Sequence, residues 1–348
     1  MKTKKGGAFK ALPVLLCLLL SAAVFLLAGC GKKDKDDSFI SLGISFGSDE
    51  DSYTRSLPSE AADAPVHTAR GDTDLTGPVT VPELLLPEAT GETAEMTDDA
   101  IIDYSNIDDG YVMTQYTKDT SKKLKVQVKG PFRTYTFNLS PRQWETFPLA
   151  DGNGIYQVAV YENVQDSMYS TVLSVEFDAA MTDEFAPFLR PNQYVNYAEA
   201  PETIELAARL TKGLTDPLDK VAEVYDCVTG ALTYDTELAK NVKSGYLPDI
   251  DEVMRRKQGI CFDYAAVMTG MLRSQDVPCK LVVGYAGEVY HAWISVWSDE
   301  YGWIEAAIYF DGETWQRMDP TFASAGENAE SIREYIGDSS NYHEMYYY

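Results

Sequence analysis

Three side chains in this 348-residue chain have the types and the order that thiol chemistry needs: Cys261, His291 and Asp319. Cys261 sits in "RRKQGICFDYAAVMTG", two residues after Gly259 and at the start of a helical pattern. Free N–H groups and aligned peptide dipoles at a helix N-terminus favour an anion, and Arg255, Arg256 and Lys257 stand just upstream. The spacing therefore predicts a depressed thiol pKa. A thiolate nucleophile needs a basic partner, and that partner needs an orienting carboxylate or amide. Past residue 100 the candidates are His291, which opens "HAWISVW", and His343 in the tyrosine-rich "NYHEMYYY"; the third histidine, His67, has no ligand-type neighbours. Asp319 precedes Pro320 at the end of "ETWQRMD", where a carboxylate can meet an imidazole across neighbouring strands. Each residue also has a plain structural use, as a packed cysteine, a satisfied core histidine or a turn-capping aspartate.

The elements that must position these groups are legible in the periodicity. "CFDYAAVMTGMLRSQDV" places Ala265, Met268, Met271 and Leu272 on one helical face,. "HAWISVW" alternates, with His291, Trp293, Ser295 and Trp297 on one side and Ala292, Ile294 and Val296 on the other,. Upstream, "PDIDEVMRRKQ" reads as a short helix that Gly259 ends with a turn,. In "TDPLDKVAEVYDCVTGALTYD", Asp216 is the N-cap, Pro217 the first helical residue, and Leu218, Val221, Val224, Tyr225 and Val228 the apolar stripe,. "ETIELAARLTKG" is a further helix ending by Gly213, and the proline-rich "FAPFLRPNQYVNYAEAP" before it is a structured connector. From 101 to 183 the period is two: "KKLKVQVKG" sends Leu124, Val126 and Val128 to one face and lysines and Gln127 to the other. Short strands separated by turns predict a small antiparallel β-sandwich. Asp151-Gly-Asn-Gly lacks the alternating oxygen ligands of a calcium loop and reads as a hairpin turn,.

Composition bounds the rest. The net charge of −25 argues against binding nucleic acid,. Residues 31–100 are acidic, rich in Ser, Thr, Pro and Gly, and free of apolar period, as a disordered linker would be,. Residues 1–30 begin with four lysines, continue through "ALPVLLCLLLSAAVFLLAG" and end on Cys30. That pattern describes a secretory signal, and the "LAGC" ending resembles a bacterial lipoprotein signal, which implies lipid on Cys30 and an exported protein anchored to the outer face of the cell membrane. An uncleaved membrane anchor is the alternative. Of the five cysteines this leaves Cys227, Cys261 and Cys279. An odd count suggests a free thiol, with a Cys227–Cys279 bridge as the other option. No metal-type spacing and no phosphate loop stands out, so neither metal nor cofactor is expected.

"GICFDYAAVMTG", "YHAW" and "MDPTF", in that order, resemble the transglutaminase-like superfamily, whose pattern is G-x-C-x-[DE]-[YF]-A, then H-A-W, then D-P-T. "LTYD" at 232–235 resembles a segment that commonly precedes the cysteine block. The resemblance covers roughly residues 200–325 and implies an α+β, papain-like fold. It implies a 184–348 transglutaminase-like domain behind the 101–183 sandwich. Cys261 is then the nucleophile, His291 the base and Asp319 the orienting acid. Asp263, Tyr264 and Trp293 brace the site, while Tyr234, and more weakly Gln258, are candidate oxyanion donors. The implied reaction runs through a thioester on peptide or isopeptide bonds, resolved by water or by an amine. The implied partners are a protein or peptide substrate, cell-wall peptide included. The alternative is a non-catalytic surface module that binds protein or cell-wall peptide. The segment between His291 and Asp319 is longer than one tight hairpin requires and adds an excursion beside the site.

Overall fold

The computed structural model of the protein describes residues 77–286, 289–310, 315–317 and 342–348. The expected signal with Cys30, the first part of the expected linker with His67, and Asp319 lie outside the described residues. The linker does not extend to residue 100, because β1 (Ala94–Met96) pairs antiparallel with β2 (Ala100–Asp103). The acidic composition concealed this: Val81 and Leu84 pack on the core, and Ala100 and Ile102 are fully buried.

The sandwich continues with β3 (Tyr111–Tyr116), β4 (Leu124–Lys129), β5 (Thr134–Asn138), β6 (Trp144–Pro148), β7 (Gly154–Gln165) and β8 (Met168–Ala179). Two four-stranded antiparallel sheets form, in orders β1-β2-β3-β6 and β5-β4-β7-β8. Leu124, Val126 and Val128 are buried and Lys125, Gln127 and Lys129 are not, as period two requires,. The Asp151–Gly154 segment is the turn from β6 into β7, with Gly152 and Gly154 at positive φ where a side chain would be strained,. The connector forms two single 3-10 turns, Ala186–Phe188 and Tyr197–Glu199, and buries Phe188, Tyr194, Val195 and Tyr197.

Helices α1 (Pro201–Leu210) and α2 (Pro217–Ala231) follow, α2 capped by the Asp216 carboxylate accepting the Leu218 N–H at 2.8 Å,. Next come β9 (Thr233–Tyr234), α3 (Thr236–Asn241), α4 (Ile250–Arg256), β10 (Gln258–Gly259) and α5 (Cys261–Arg273). A one-sided apolar face was expected for α5. Instead every residue of it is buried, because α1, α2 and α4 pack on one side and a sheet on the other. That sheet holds β11 (Cys279–Ala286), β12 (Val289–Ser298), β13 (Gly302–Phe310), β14 (Trp315–Arg317) and β15 (Tyr342–Tyr347), in the order β14-β13-β12-β11-β15, all antiparallel. The class is α+β. The excursion after His291 is thus two successive hairpins, and β13 separates β12 from β14, the strand that leads toward Asp319. A carboxylate on the strand next to that of His291 was expected; the strand leading to it is one further away.

The terminal tyrosines are structural. Tyr348 is 1% exposed, with its ring 4.4 Å from Tyr194, 5.9 Å from Tyr135 and 5.8 Å from Phe137. Tyr194 in turn meets Phe262, the neighbour of Cys261, at 5.4 Å. An aromatic chain therefore runs from β5 to the start of α5, and aromatic pairs of this geometry add stabilisation beyond area burial. The buried Arg273 guanidinium donates to the carbonyls of Cys279, Arg190 and Tyr348, tying the end of α5 to β11 and the last residue of the chain. Cys227, Cys261 and Cys279 are all free, so the Cys227–Cys279 bridge does not form; Cys279 instead donates its thiol to Thr269 Oγ1 at 3.6 Å. No helix among the described residues is long and apolar enough to cross a membrane.

Candidate active site

Two short strands bring the site together. β9 and β10 pair in parallel, Thr233 opposite Gln258 and Tyr234 opposite Gly259. The Thr233 N–H donates to Lys257 O at 3.0 Å and the Asp235 N–H to Gly259 O at 2.9 Å. This ladder carries Tyr234 to the first turn of α5. Gly259 was expected to end α4 with a turn, but the left-handed residue there is Lys257, at φ 55. Gly259 is needed for room instead: a Cβ on it would lie 2.7 Å from the Asp263 Cβ.

Asp263 braces this turn. Its carboxylate accepts the Ile260 N–H at 2.9 Å, the Tyr246 hydroxyl at 2.7 Å and an Arg256 N–H at 3.0 Å. A carboxylate at the third helical position reaching back to the N-cap amide satisfies a donor the helix cannot. Tyr246 lies in an irregular loop, and nothing in the local pattern marked it. Tyr264 is buried, its ring 6.5 Å from that of Tyr234. Gln258 is exposed, at the edge of this assembly.

The Cys261 thiol is enclosed. It is 2% exposed and hydrogen-bonded by the backbone N–H groups of Ala292 and Phe262 and by the Tyr234 hydroxyl. The Tyr234 oxygen also accepts the Cys261 N–H, so one phenol spans the amide and the sulfur of the same residue. These donors favour the thiolate, yet burial outweighs them and pushes the thiol up to about 11, with the Asp263 charge acting in the same direction. The expected depression is therefore reversed. Desolvation penalises the anion, and the cations counted upstream are engaged elsewhere: Arg256 with Asp263 and the Gln258 carbonyl, Arg255 with Glu252.

His291 is 7% exposed, and burial pushes its imidazole down to about 4. Ala292, whose N–H reaches the sulfur, is the next residue on β12. Ala292, Ile294 and Val296 share the main core with α5, whereas Trp293 packs with Val282 and Tyr347. By alternation His291 lies on the Trp293 side, opposite Gly284 of β11,. The structure thus joins Cys261 directly to Tyr234 and to the Ala292 amide, while the His291 side chain lies on the other face of β12. At neutral pH both groups are uncharged, a thiol and a neutral imidazole, rather than an ion pair. Among the described residues no group of three or more His, Cys, Asp or Glu side chains is placed to hold a metal ion.

Residues 204–308, which contain Tyr234, Cys261 and His291, match the sequence profile of the transglutaminase-like superfamily. This segment is a transglutaminase-like domain. Two curated proteins are similar to part of this chain. The uncharacterized protein YebA of Bacillus subtilis is 31% identical over 130 residues, covering 30% of this chain and 17% of YebA. A protein-glutamine gamma-glutamyltransferase of Pseudomonas aeruginosa is 26% identical over 107 residues, covering 26% of this chain and 14% of that protein. The chain therefore spans less than a fifth of the length of these relatives. A crystal structure from Cytophaga hutchinsonii, provisionally assigned as a cysteine protease, aligns over 68% of this chain and 83% of its own, with 14% identity and a TM-score of 0.34. Cys261 and His291 lie within the matched residues, and β14 ends two residues before Asp319.

Proposed function

We propose that the protein is a membrane-tethered, extracytoplasmic thiol enzyme that cleaves or transfers amide bonds of a protein or peptide through a thioester on Cys261. One observation carries the reading: in a domain of this family, Cys261 opens a helix beside the Tyr234 phenol, which accepts the Cys261 N–H and donates to its sulfur. That is the donor pair a tetrahedral oxyanion requires. Sγ attacks the substrate carbonyl, and the oxygen takes the negative charge facing the Cys261 N–H and the Tyr234 hydroxyl. The C–N bond breaks as the thiol proton passes to the leaving amine, the relay that the superfamily resemblance assigns to His291, whose side chain stands on the other face of β12 from α5. Water or a second amine then breaks the C–S bond and the thiol regains its proton. Asp319 holds the imidazole tautomer. Lipid on Cys30 anchors the chain, residues up to the sandwich act as a tether, and the sandwich is a spacer or docking module. No metal or cofactor takes part.

A second reading is a non-catalytic module that binds protein or cell-wall peptide. Burial of the thiol favours it, since a cysteine titrating near 11 is protonated at neutral pH,. The deciding experiment treats the full chain with p-nitrophenyl acetate and follows the p-nitrophenolate burst and the intact mass. An acetyl adduct on Cys261, absent from Cys261→Ser, is the expected result. Absence of any adduct on Cys261 in the wild type refutes the enzyme reading in favour of the binding module.

A further inference from the structure

A second phenol, Tyr290, packs against the core cluster that contains the thiol, and the scheme above gives it no role. Tyr290 immediately precedes His291 on β12, so alternation puts its side chain on the face of Ala292, toward α5,. It packs against the same core cluster that contains Cys261 and Ala292. Burial first, then the nearby Tyr194, Tyr346, Tyr285 and Cys261, disfavour ionisation of its hydroxyl and keep it a donor. Its ring meets Tyr285, its cross-strand partner on β11, edge-on at 5.4 Å, and Tyr285 is 38% exposed. The pair thus leads from the surface into the core cluster that contains Cys261.

The Tyr290 hydroxyl oxygen is fully buried and has no hydrogen-bond partner among the described residues. An unmade hydrogen bond on a buried hydroxyl is destabilising, and such groups in native structures call for an explanation. Fold stability does not supply one, because phenylalanine would fill the same space without the cost. Tyr234, by contrast, has its hydroxyl engaged by Cys261. Of two phenols packed with the core cluster of Cys261, one is engaged at rest and the other is held as an uncommitted donor.

We propose that Tyr290 is a substrate-contacting residue whose hydroxyl donates to the carbonyl oxygen of the acyl donor as it becomes an oxyanion. This rests on the thiol-enzyme reading and adds to it a donor from the strand of the base. The ligand chemistry it selects is an acyl group with its oxygen presented toward β12: an amide, ester or thioester carbonyl. Tyr290 adds a hydrogen bond as charge develops on that oxygen and takes no proton, so the bonds made and broken remain those of the Cys261 reaction.

The test compares full-chain wild type with Tyr290→Phe in two reactions of the same thiol. Acetylation by p-nitrophenyl acetate passes through an oxyanion; alkylation by iodoacetamide does not. Loss of one oxyanion donor slows acylation by about 10²-fold, while the alkylation rate at pH 9 stays at the wild-type value and the melting temperature is equal or higher. A variant that acylates at the wild-type rate overturns the assignment and leaves the thiol-enzyme reading intact. Equal losses in both reactions overturn it as well, because the hydroxyl would then be acting on the thiol itself. No acetyl adduct in the wild type overturns the thiol-enzyme reading and this assignment with it.

Discussion

In the sandwich, the Asp151 carboxylate accepts the Phe132 and Arg133 amides at 3.0 and 2.6 Å, an Arg133 guanidinium N–H at 3.2 Å and the Tyr135 hydroxyl at 3.0 Å. At the N-terminus of α5, three donors reach the Cys261 sulfur, its thiol still titrates near 11, and the neighbouring Tyr290 hydroxyl bonds to no described residue. Both clusters are buried and both include tyrosines. The first satisfies a charge from every direction, so it holds two strands and a turn in one arrangement. The second holds a nucleophile neutral among donors that fit an oxygen better than a sulfur. A saturated polar cluster is a structural device, and an undersaturated one beside a nucleophile has capacity left for a ligand.

Substitutions at the two clusters should separate these roles, beginning with the largest effect. Cys261→Ser is expected to lower ester acylation by about 10⁴-fold or more, as loss of a nucleophile does elsewhere, with the unfolding midpoint moved little. Asp151→Ala should do the opposite: about 3–5 kcal/mol lost in urea unfolding, since it leaves the Arg133 side and two amides unpaired, with acylation of the remaining folded protein unchanged. An Asp151→Ala protein as stable as wild type would remove the contrast.

The third effect is in pH. His291 titrates near 4 in the folded protein and near 6.5 when unfolded, so the unfolded chain binds the extra proton first as acid is added. Stability contributed by the neutral imidazole is complete above about pH 6.5, falls as pH drops toward 4, and amounts to about 3 kcal/mol. Denaturant titrations from pH 7 to 4 should show that loss in wild type and a flatter profile in His291→Gln. The Cys261 thiol works at the other end: its raised pKa predicts an iodoacetamide rate that keeps climbing to about pH 11, with no plateau near neutrality. The smallest effect is Tyr234→Phe. Removing one donor to the thiolate should shift that profile further up and slow alkylation at pH 8 by about 3- to 10-fold, on the scale of one ordinary hydrogen bond. A profile shifted down would mean that the phenol opposes the thiolate.

Much of the scaffold was legible because it is encoded by local rules. Asp216 and Pro217 marked the start of α2, and the alternation of 124–129 and 289–298 marked β4 and β12. The order of the cysteine and histidine blocks pointed to the domain that holds them. The misreadings share one cause. Residues 94–96 looked like linker because composition does not report backbone pairing with a strand further along. Gly259 looked like a turn glycine because a close approach by the Asp263 side chain is invisible in the chain. Tyr246 carried no pattern because a loop has no period.

The thiol shows where local reading stops. Sequence alone determined that a cysteine opens a helix below three cationic residues, with a histidine on a later strand, because these depend on neighbours within a turn or two. Tertiary structure alone decided the state of that cysteine. Packing of α1, α2, α4 and the sheet around α5 removes water from the sulfur. Asp263 and Glu252 engage the nearby arginines, and the β9–β10 ladder sets Tyr234 over the thiol. Desolvation depends on everything that surrounds a group, and most of what surrounds Cys261 comes from distant parts of the chain.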